Sequence, residues 1–187
     1  MTVVRSVQLE ETERTLMRLR KSAGLYQSLV REDVVSDPDR STLRMGTWMM
    51  VLGYTEFYVD GILESLFARA ASALAPGPQF LMQREAPKSQ TSWEARRDAL
   101  KNVFAIQSGQ FKSWNRLDGA IWVRNSIAHG SGGLTRMQKL SEAAKAEKVG
   151  VAVIDGKLYL SHEAIGLCAS TCCEFVGELD LAARGLV

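Results

Sequence analysis

The chain has few of the residues on which several classes of protein depend. Its 187 residues include only three cysteines and two histidines. All three cysteines, Cys168, Cys172 and Cys173, fall in the last predicted helix, where neighbours cannot form a disulfide scaffold. We therefore expect reduced thiols and a cytoplasmic protein. A zinc site there would need further ligands, and His162 is the only histidine in that region.

A long uninterrupted apolar run is also missing. The longest candidate covers residues 48–75 and contains four charged residues, Glu56, Asp60, Glu64 and Arg69. A membrane-spanning helix needs about 20 predominantly apolar residues. The first residues are polar and carry a charge at Arg5, which does not fit a signal peptide. We expect no association with a membrane.

Motifs of several enzyme classes are missing as well. Residues 130–133 (Gly-Ser-Gly-Gly) have neither the preceding strand nor the following lysine of a phosphate-binding loop. The sequence contains no nucleophile elbow of a serine hydrolase. Asp60 and Glu64 form no recognisable metal-binding set with a histidine, which argues against a metallonuclease. The sequence therefore predicts neither a metal nor a cofactor.

The composition is that of one globular domain covering residues 1–187. Hydrophobic residues make up 46% of the chain and charged residues 24%, and the net charge is +2. The charge is unevenly distributed, because the segment from Arg84 to Arg124 contains eight basic and four acidic residues, an excess of +4. This excess indicates either an anion-binding surface or a solvated helix face.

Apolar periodicity predicts an all-α domain, an antiparallel helical bundle with one small β-hairpin. The predicted helices cover about residues 6–31, 42–74, 91–106, 114–129, 135–147 and 161–183, and the predicted strands cover 149–154 and 157–160. A loop of about a dozen residues containing Pro87 joins the second and third helices. Asp155 and Gly156 are a strong hairpin signal directly ahead of the last helix, which Ser161 can cap.

Residues at the helix ends predict where other helices begin and end. Pro38 breaks the chain after the first helix. Thr91 and Glu94 have the spacing of a capping box for the third helix, and Ser113 can cap the fourth. Gly130 suits the left-handed position that terminates this fourth helix.

The most specific signal lies in residues 122–130 (Trp-Val-Arg-Asn-Ser-Ile-Ala-His-Gly). Arginine is a permanent planar cation that suits phosphate, and histidine exchanges protons near neutral pH. In a helix, Asn125 and His129 share a face that Asp118 extends, whereas Arg124 points about 100° away. Arg124 and His129 can still converge at the helix C-terminus, where the helix dipole favours a protonated histidine.

The second predicted helix is apolar on most of its circumference, which is typical of a helix buried in a core or in a subunit interface. Within it, Glu56, Asp60 and Glu64 recur at intervals of four and form one polar face. This face is either simply solvated, or Glu56 reaches the arginine–histidine pair and tunes it. Tyr54 and Tyr58 flank Glu56 and can stack on a base, line an interface or pack in the core.

The arginine, polar residue, histidine and glycine resemble the signature of the HEPN superfamily (higher eukaryotes and prokaryotes nucleotide-binding domains). In that signature roughly four to six residues separate the arginine from the histidine. Here four residues separate Arg124 from His129, and the polar residue is Asn125. Residues 53–59 (Gly-Tyr-Thr-Glu-Phe-Tyr-Val) are similar to a helix of the RiboL-PSP-like and Apea-like branches. The resemblance covers roughly residues 41–184, after an N-terminal helix and linker in residues 1–40.

The resemblance implies a metal-independent endoribonuclease in which the RNA 2′-hydroxyl attacks the adjacent phosphate. Its catalytic residues are then Arg124, His129 and Asn125, and its supporting residues are Glu56 and Asp118. One histidine cannot easily perform both proton transfers, so the resemblance implies a homodimer in which two motifs share one cleft. It further implies RNA as the substrate, a toxin or phage-defence role, and a cognate antitoxin or regulatory protein as a partner.

Two other interpretations of the motif stay open. The domain can be a non-catalytic HEPN-like module that binds nucleotide or RNA, or that dimerises. Alternatively the motif is structural, with His129 capping carbonyl groups at the helix end. Arg124 would then pair with an acidic residue, for which the candidates are Glu56, Asp60 and Asp118. A structural motif predicts a buried His129 with satisfied nitrogens, whereas a functional motif predicts that the pair faces solvent in one cleft.

Overall fold

A computed structural model of the protein describes residues 2–31, 37–138, 140–184 and 186. Within these ranges the chain forms seven α-helices and one β-hairpin, so the predicted all-α class with a hairpin before the last helix is confirmed. The elements are α1 (Thr2–Arg31), α2 (Asp37–Ser72), α3 (Pro76–Glu85), α4 (Trp93–Asn102), α5 (Trp114–Gly130), α6 (Ala144–Glu147), β1 (Val151–Ile154), β2 (Lys157–Leu160) and α7 (His162–Arg184). Residues 32–36 of the linker predicted after the first helix lie outside the described residues. The rest of that prediction is wrong, because residues 37–41 form the start of α2, where Pro38 in the first turn is compatible with a helix.

The three longest helices, α1, α2 and α7, pack against one another and form the body of the domain. At one end the Arg44 Nε donates to the Tyr26 hydroxyl at 2.9 Å. At the other end the Thr12 hydroxyl lies 2.9 Å from the Tyr58 hydroxyl and donates to an Asp180 carboxylate oxygen at 3.0 Å. The Tyr26 ring also lies 5.4 Å from the ring of His162, the first residue of α7. These contacts make α1 antiparallel to both α2 and α7, so α2 and α7 run in the same direction.

A buried polar cluster joins these three helices. Asp180 is 3% exposed and accepts hydrogen bonds from Thr12 and Tyr58, and it also pairs with Arg184. Burial raises the pKa of the Tyr58 phenol well above its ordinary value. The phenol therefore stays protonated and serves as a donor to the carboxylate. Tyr58 belongs to the core, whereas Tyr54 is half-buried beneath the Arg18 guanidinium.

The apolar character of α2 is explained by burial on several sides. Trp48, Val51, Leu52 and Val59 are fully buried, and the Trp48 indole N–H donates to the Ala120 carbonyl of α5 at 3.1 Å. One stripe of α2 remains open, however, and includes Met50, Gly53, Phe57 and Gly61. Among the described residues, no helix combines the length and apolarity that crossing a bilayer would need.

The prediction of a loop after the second helix is wrong. Residues 76–85 form α3, and residues 86–90 form a 3₁₀ turn. Pro76 occupies the first turn of α3, where its fixed φ suits a helix and its missing N–H costs nothing. None of the residues of α3 is buried, and Phe80 and Leu81 are largely exposed. The helix therefore lacks the apolar stripe that would have identified it.

The N-cap of the third predicted helix lies one residue later than predicted, and the helix ends earlier. Ser92 is the N-cap, with its hydroxyl accepting from the Ala95 N–H at 3.1 Å, so the predicted box at Thr91 is wrong. The helix was expected to reach residue 106 but ends at Asn102. Ala105 adopts a left-handed backbone with φ 57°, and the next N–H returns to the Leu100 carbonyl. This return closes the helix end earlier than the apolar periodicity indicated.

The helix predicted over residues 135–147 is also wrong in most of its length. It consists of a 3₁₀ turn at Leu140–Glu142 and the single turn α6. By contrast, the hairpin prediction is confirmed, because β1 and β2 pair antiparallel around Asp155 and Gly156 with φ 50° and 72°. The Ser161 hydroxyl accepts from the Ala164 N–H at 3.1 Å and caps α7 as predicted.

A close approach of two backbones fixes the position of α5. A Cβ atom on Gly119 would lie 2.2 Å from the Lys145 carbonyl oxygen of α6. Such a distance is impossible between real atoms, so only glycine permits this contact. Gly166 lies inside α7, and a Cβ atom there would meet nothing within 4 Å.

The two glycines predict opposite effects of the same substitution. We expect Gly119→Ala to lower the free energy of unfolding by about 1–3 kcal/mol, because α5 and α6 must move apart. We expect Gly166→Ala to raise the free energy of unfolding by roughly 0.5–1 kcal/mol, because alanine favours the helix. Urea denaturation followed by circular dichroism measures the free energy of unfolding of both variants. Equal effects at the two positions would contradict the close contact between Gly119 and the Lys145 carbonyl.

Candidate active site

The helix that carries the motif, α5, is held at its start by a carboxylate from α7. The backbone N–H groups of Lys112 and Ser113 donate to the two Glu178 carboxylate oxygens at 2.9 and 3.2 Å. Ser113 occupies the N-cap position, but its hydroxyl also donates to Glu178 and does not accept from the helix. The prediction that Ser113 caps α5 with its side chain is therefore wrong. A negative charge at this helix start is favourable because of the helix dipole.

The end of α5 is tied to the hairpin. The left-handed residue that terminates the helix is Ser131, with φ 49°, and not Gly130 as predicted. Behind it, the Leu134 N–H donates to the Gly156 carbonyl and the Leu158 N–H donates to the Gly132 carbonyl, both at 2.8 Å. These two hydrogen bonds join the segment directly after α5 to the hairpin and so hold the end of the helix in place.

Gln138 provides a second support, which the sequence did not indicate. Its amide N–H donates to the Trp122 carbonyl at 2.7 Å, and its amide oxygen accepts from the Ser126 hydroxyl at 2.8 Å. The same oxygen accepts from the Thr135 N–H at 3.1 Å. Ser126 is fully buried, so its hydroxyl depends on partners within the protein.

A surface pocket of about 460 Å³ lies between α2, the start of α4 and the second half of α5. Its lining residues are Glu56, Thr91, Ser92, Trp93, Glu94, Arg96, Ile121, Arg124, Asn125 and His129. Four of the five residues predicted for the site, Arg124, Asn125, His129 and Glu56, therefore line one pocket. The fifth, Asp118, does not line this pocket. Its carboxylate lies 3.3 Å from the Lys145 Nζ of α6 and pairs with it.

Arg124 contacts two of these predicted residues. Its Nε lies 3.8 Å from the Glu56 Oε1, and one terminal nitrogen donates to the Asn125 Oδ1 at 3.2 Å. The side chains of Arg124 and Glu56 are 29% and 18% exposed, so the pair is only partly desolvated. Of the three acids considered for Arg124, Asp60 instead binds Arg96 through both carboxylate oxygens, at 2.7 and 2.8 Å.

His129 lies in the last turn of α5 and is exposed. Its ring makes no hydrogen bond with any residue that the structure describes. A structural motif predicted a buried histidine with satisfied nitrogens, and His129 is neither. Its ring is therefore free to contact a molecule in the pocket.

Trp93 and Arg96 also line the pocket, although they were not predicted as site residues. The Trp93 indole N–H donates to the Glu56 Oε1 at 2.7 Å, and the Arg96 guanidinium lies over the Trp93 ring, 5.7 Å from its centre. Arg96 is 8% exposed. Their positions at the start of the third predicted helix were visible in the sequence, but their contacts with Glu56 and Asp60 of α2 were not.

The charges that line the pocket cancel. Two cations, Arg96 and Arg124, face two carboxylates, Glu56 and Glu94, with His129 nearby. The basic excess noted between residues 84 and 124 is also reduced, because five of its eight cations have a carboxylate within 4.0 Å. A phosphate that binds Arg124 must therefore compete with Glu56.

The arrangement offers a planar cation, an amide and an exposed imidazole in one pocket. These groups can bind a phosphate and exchange a proton with it. Among the described residues, no group of three histidine, cysteine, aspartate or glutamate side chains is placed to hold a metal ion. Comparison with known proteins adds no family: no family model, no curated protein and no solved structure matches the chain.

The hydrogen bonds of Gln138 predict that this side chain stabilises the end of α5. We expect Gln138→Ala to lower the free energy of unfolding by about 1–3 kcal/mol, because the buried Ser126 hydroxyl loses its close partner. Hydrogen exchange at the backbone N–H groups of residues 131–134 should also become faster. Gln110→Ala is the control, since Gln110 is exposed. The same small change in both variants would show that Gln138 supports nothing.

Proposed function

We propose that the protein is a metal-independent endoribonuclease of the HEPN type. The observation that carries this proposal is the pocket in which Arg124, Asn125 and His129 meet with the histidine exposed. The resemblance of the motif to the HEPN signature supplies the type of reaction and the substrate, RNA. A toxin-like or phage-defence role, with a cognate antitoxin or regulatory protein, belongs to the same proposal and follows from the resemblance alone.

The reaction uses the RNA as its own nucleophile. The 2′-oxygen attacks the adjacent phosphorus, and the bond to the 5′-oxygen of the next nucleotide breaks. Arg124 binds the phosphate oxygens through its planar fork and stabilises their charge as it builds up. Asn125 orients Arg124 through the hydrogen bond already present. His129 transfers a proton, since it is exposed and lies at the end of α5.

RNA cleavage in EDTA tests the proposal. We expect purified protein to cleave members of a panel of single-stranded and folded RNAs, leaving 2′,3′-cyclic phosphate and 5′-hydroxyl ends. His129→Ala should lower the rate by about 10²–10⁴-fold, as for loss of a general acid or base. Arg124→Lys should also lower the rate, because lysine keeps the charge but loses the fork.

Two controls define the result. His162→Ala removes the other histidine, which stacks on Tyr26 away from the pocket, and should cleave like the wild type. An all-deoxy oligonucleotide of the same sequence should stay intact, because it has no 2′-hydroxyl. Thermal denaturation must show that each variant is folded. Wild-type protein that leaves every RNA intact, or cleavage that needs a metal, would contradict the proposal.

A homodimer is part of the proposal. Near the pocket, α2 exposes an apolar stripe in which Phe57 is 61% and Met50 is 36% exposed. Tyr54 and the exposed Leu25 of α1 line the adjoining groove. Burying such side chains is favourable, at about 25 cal/mol per Å² of apolar surface. A second copy of the chain that covers this stripe would bring two pockets close together, because Glu56 and Phe57 are consecutive.

The mass in solution tests the dimer. We expect light scattering to give twice the mass of one chain, and Phe57→Asp to shift the mass toward that of a single chain. Phe80→Asp is the matched control, since Phe80 on α3 has nearly the same exposure, 63%. A wild-type protein with the mass of one chain, or equal masses for both variants, would contradict a dimer through this stripe.

The second candidate is a non-catalytic module that binds nucleotide or RNA. The pairing of Arg124 with Glu56 favours it, because the guanidinium is already engaged and the charges of the pocket cancel. Such a module would bind RNA in a filter-binding assay without cleaving it, and His129→Ala would retain the affinity. Cleavage by the wild-type protein excludes this candidate.

A further inference from the structure

We propose that Glu56 is the second proton-transfer group of the site, acting as the general base while His129 acts as the general acid. The inference rests on the proposed ribonuclease function and goes further by assigning both proton transfers to one chain. The structural basis is that the Glu56 carboxylate and the His129 imidazole line the same pocket, with Arg124 contacting the carboxylate.

The Glu56 carboxylate is held by one of its oxygens only. Oε1 accepts from the Trp93 indole N–H at 2.7 Å and lies 3.8 Å from the Arg124 Nε. Oε2 accepts no hydrogen bond from any residue that the structure describes. The side chain is 18% exposed, so this second oxygen can meet a ligand. A fixed carboxylate with one open oxygen is suited to accept a proton from a hydroxyl group.

The neighbouring elements keep this carboxylate in place. Thr55, which precedes Glu56 on α2, and Val59, which lies three residues after it, are fully buried. The charged groups around Glu56 come from three helices, and they are Asp60 on α2, Glu94 and Arg96 on α4, and Arg124 and His129 on α5. Asp60 is occupied by Arg96, and Glu94 is exposed at the rim. Glu56 is thus the carboxylate that contacts the phosphate-binding arginine.

The proposed step balances within one chain. Glu56 takes the proton from the 2′-hydroxyl, and the 2′-oxygen forms a bond to phosphorus. The bond between phosphorus and the 5′-oxygen breaks, and the leaving oxygen takes a proton from protonated His129. The products are a 2′,3′-cyclic phosphate and a 5′-hydroxyl, with Glu56 protonated and His129 neutral. Exchange of these protons with water restores both groups.

Arg124 pairs with Glu56 before this step and with the RNA phosphate during it. In the free protein its charge is partly neutralised by Glu56. When Glu56 takes up a proton, it becomes neutral, and the attraction between Arg124 and the phosphate is no longer shared. The cation then acts most strongly when negative charge collects on the phosphate oxygens, which is the condition for stabilising a transition state.

A pH profile of cleavage tests the assignment, with the RNA that the wild type cleaves best as substrate. The step needs a base without its proton and an acid that carries one, so the rate should fall on both the acidic and the alkaline side of an optimum pH. Glu56→Gln should lower kcat/KM about 100-fold or more and abolish the acidic limb. Glu56→Asp should keep the acidic limb at a reduced rate.

The control is Glu64→Gln, the same change two turns further along α2, at a carboxylate bound to Gln90 outside the pocket. It should cleave like the wild type. Glu56→Gln with an unchanged acidic limb would overturn the assignment, because Glu56 would then only position Arg124. A faster Glu56→Gln enzyme would overturn it as well, since the carboxylate would merely block the arginine.

Co-expression of differently tagged Glu56→Gln and His129→Ala chains tests the claim that one chain suffices. Neither chain has both groups, so we expect the mixture to be as inactive as each variant alone. Recovered activity would show that the acid and the base come from different chains. An inert wild type overturns the ribonuclease itself. An inert His129→Ala beside an active Glu56→Gln with a normal acidic limb overturns only the role of Glu56.

Discussion

α2 packs against α1, α5 and α7 at the same time, and this burial constrains every other part of the molecule. Trp48 is fully buried and donates its indole N–H to the Ala120 carbonyl, which fixes α5 against α2. An unmade hydrogen bond at such a buried group costs about 1–3 kcal/mol, so the two helices keep this register. Two turns beyond Trp48, the exposed edge of α2 carries Glu56 toward the second half of α5. The pocket therefore exists because of how the core is packed.

The electrostatics of the pocket set limits on its partners. Cations and carboxylates on its lining are equal in number, so long-range attraction of a polyanion is weak. Binding of RNA would depend on a few short contacts, above all with Arg124, and less on a broad basic surface. Such a protein would show a shallow dependence of affinity on salt, since few counterions are released. Binding of a phosphate would then depend on how Glu56 and Asn125 orient the Arg124 side chain.

The sequence predicted those features that depend on local chemistry. Asp155 and Gly156 can adopt left-handed backbones, and Ser161 offers a hydroxyl to a helix start, so the hairpin and the cap of α7 were predictable. The sequence did not decide whether Glu56 contacts the motif. Helical periodicity shows which residues share a face of α2, but it does not show which other helix that face contacts. Trp93, Gln138 and Glu178 act through contacts with residues distant in the chain or in other elements, which no spacing reveals. α3 was missed because none of its residues is buried. Asp118 lies outside the pocket and pairs with Lys145 of α6, a contact that the sequence did not reveal.

Two arginine–carboxylate pairs lie one turn apart along α2, and they differ in geometry and exposure. Arg96 binds Asp60 through two hydrogen bonds of 2.7 and 2.8 Å and is 8% exposed, which is the geometry of a structural pair. Arg124 and Glu56 are 3.8 Å apart and both reach the pocket. A loose, partly exposed pair adds only about 0–1 kcal/mol to stability, so it can break at little cost to the fold. If the pair opened when a phosphate arrived, Arg124 would become available beside the exposed His129, as the proposed function requires.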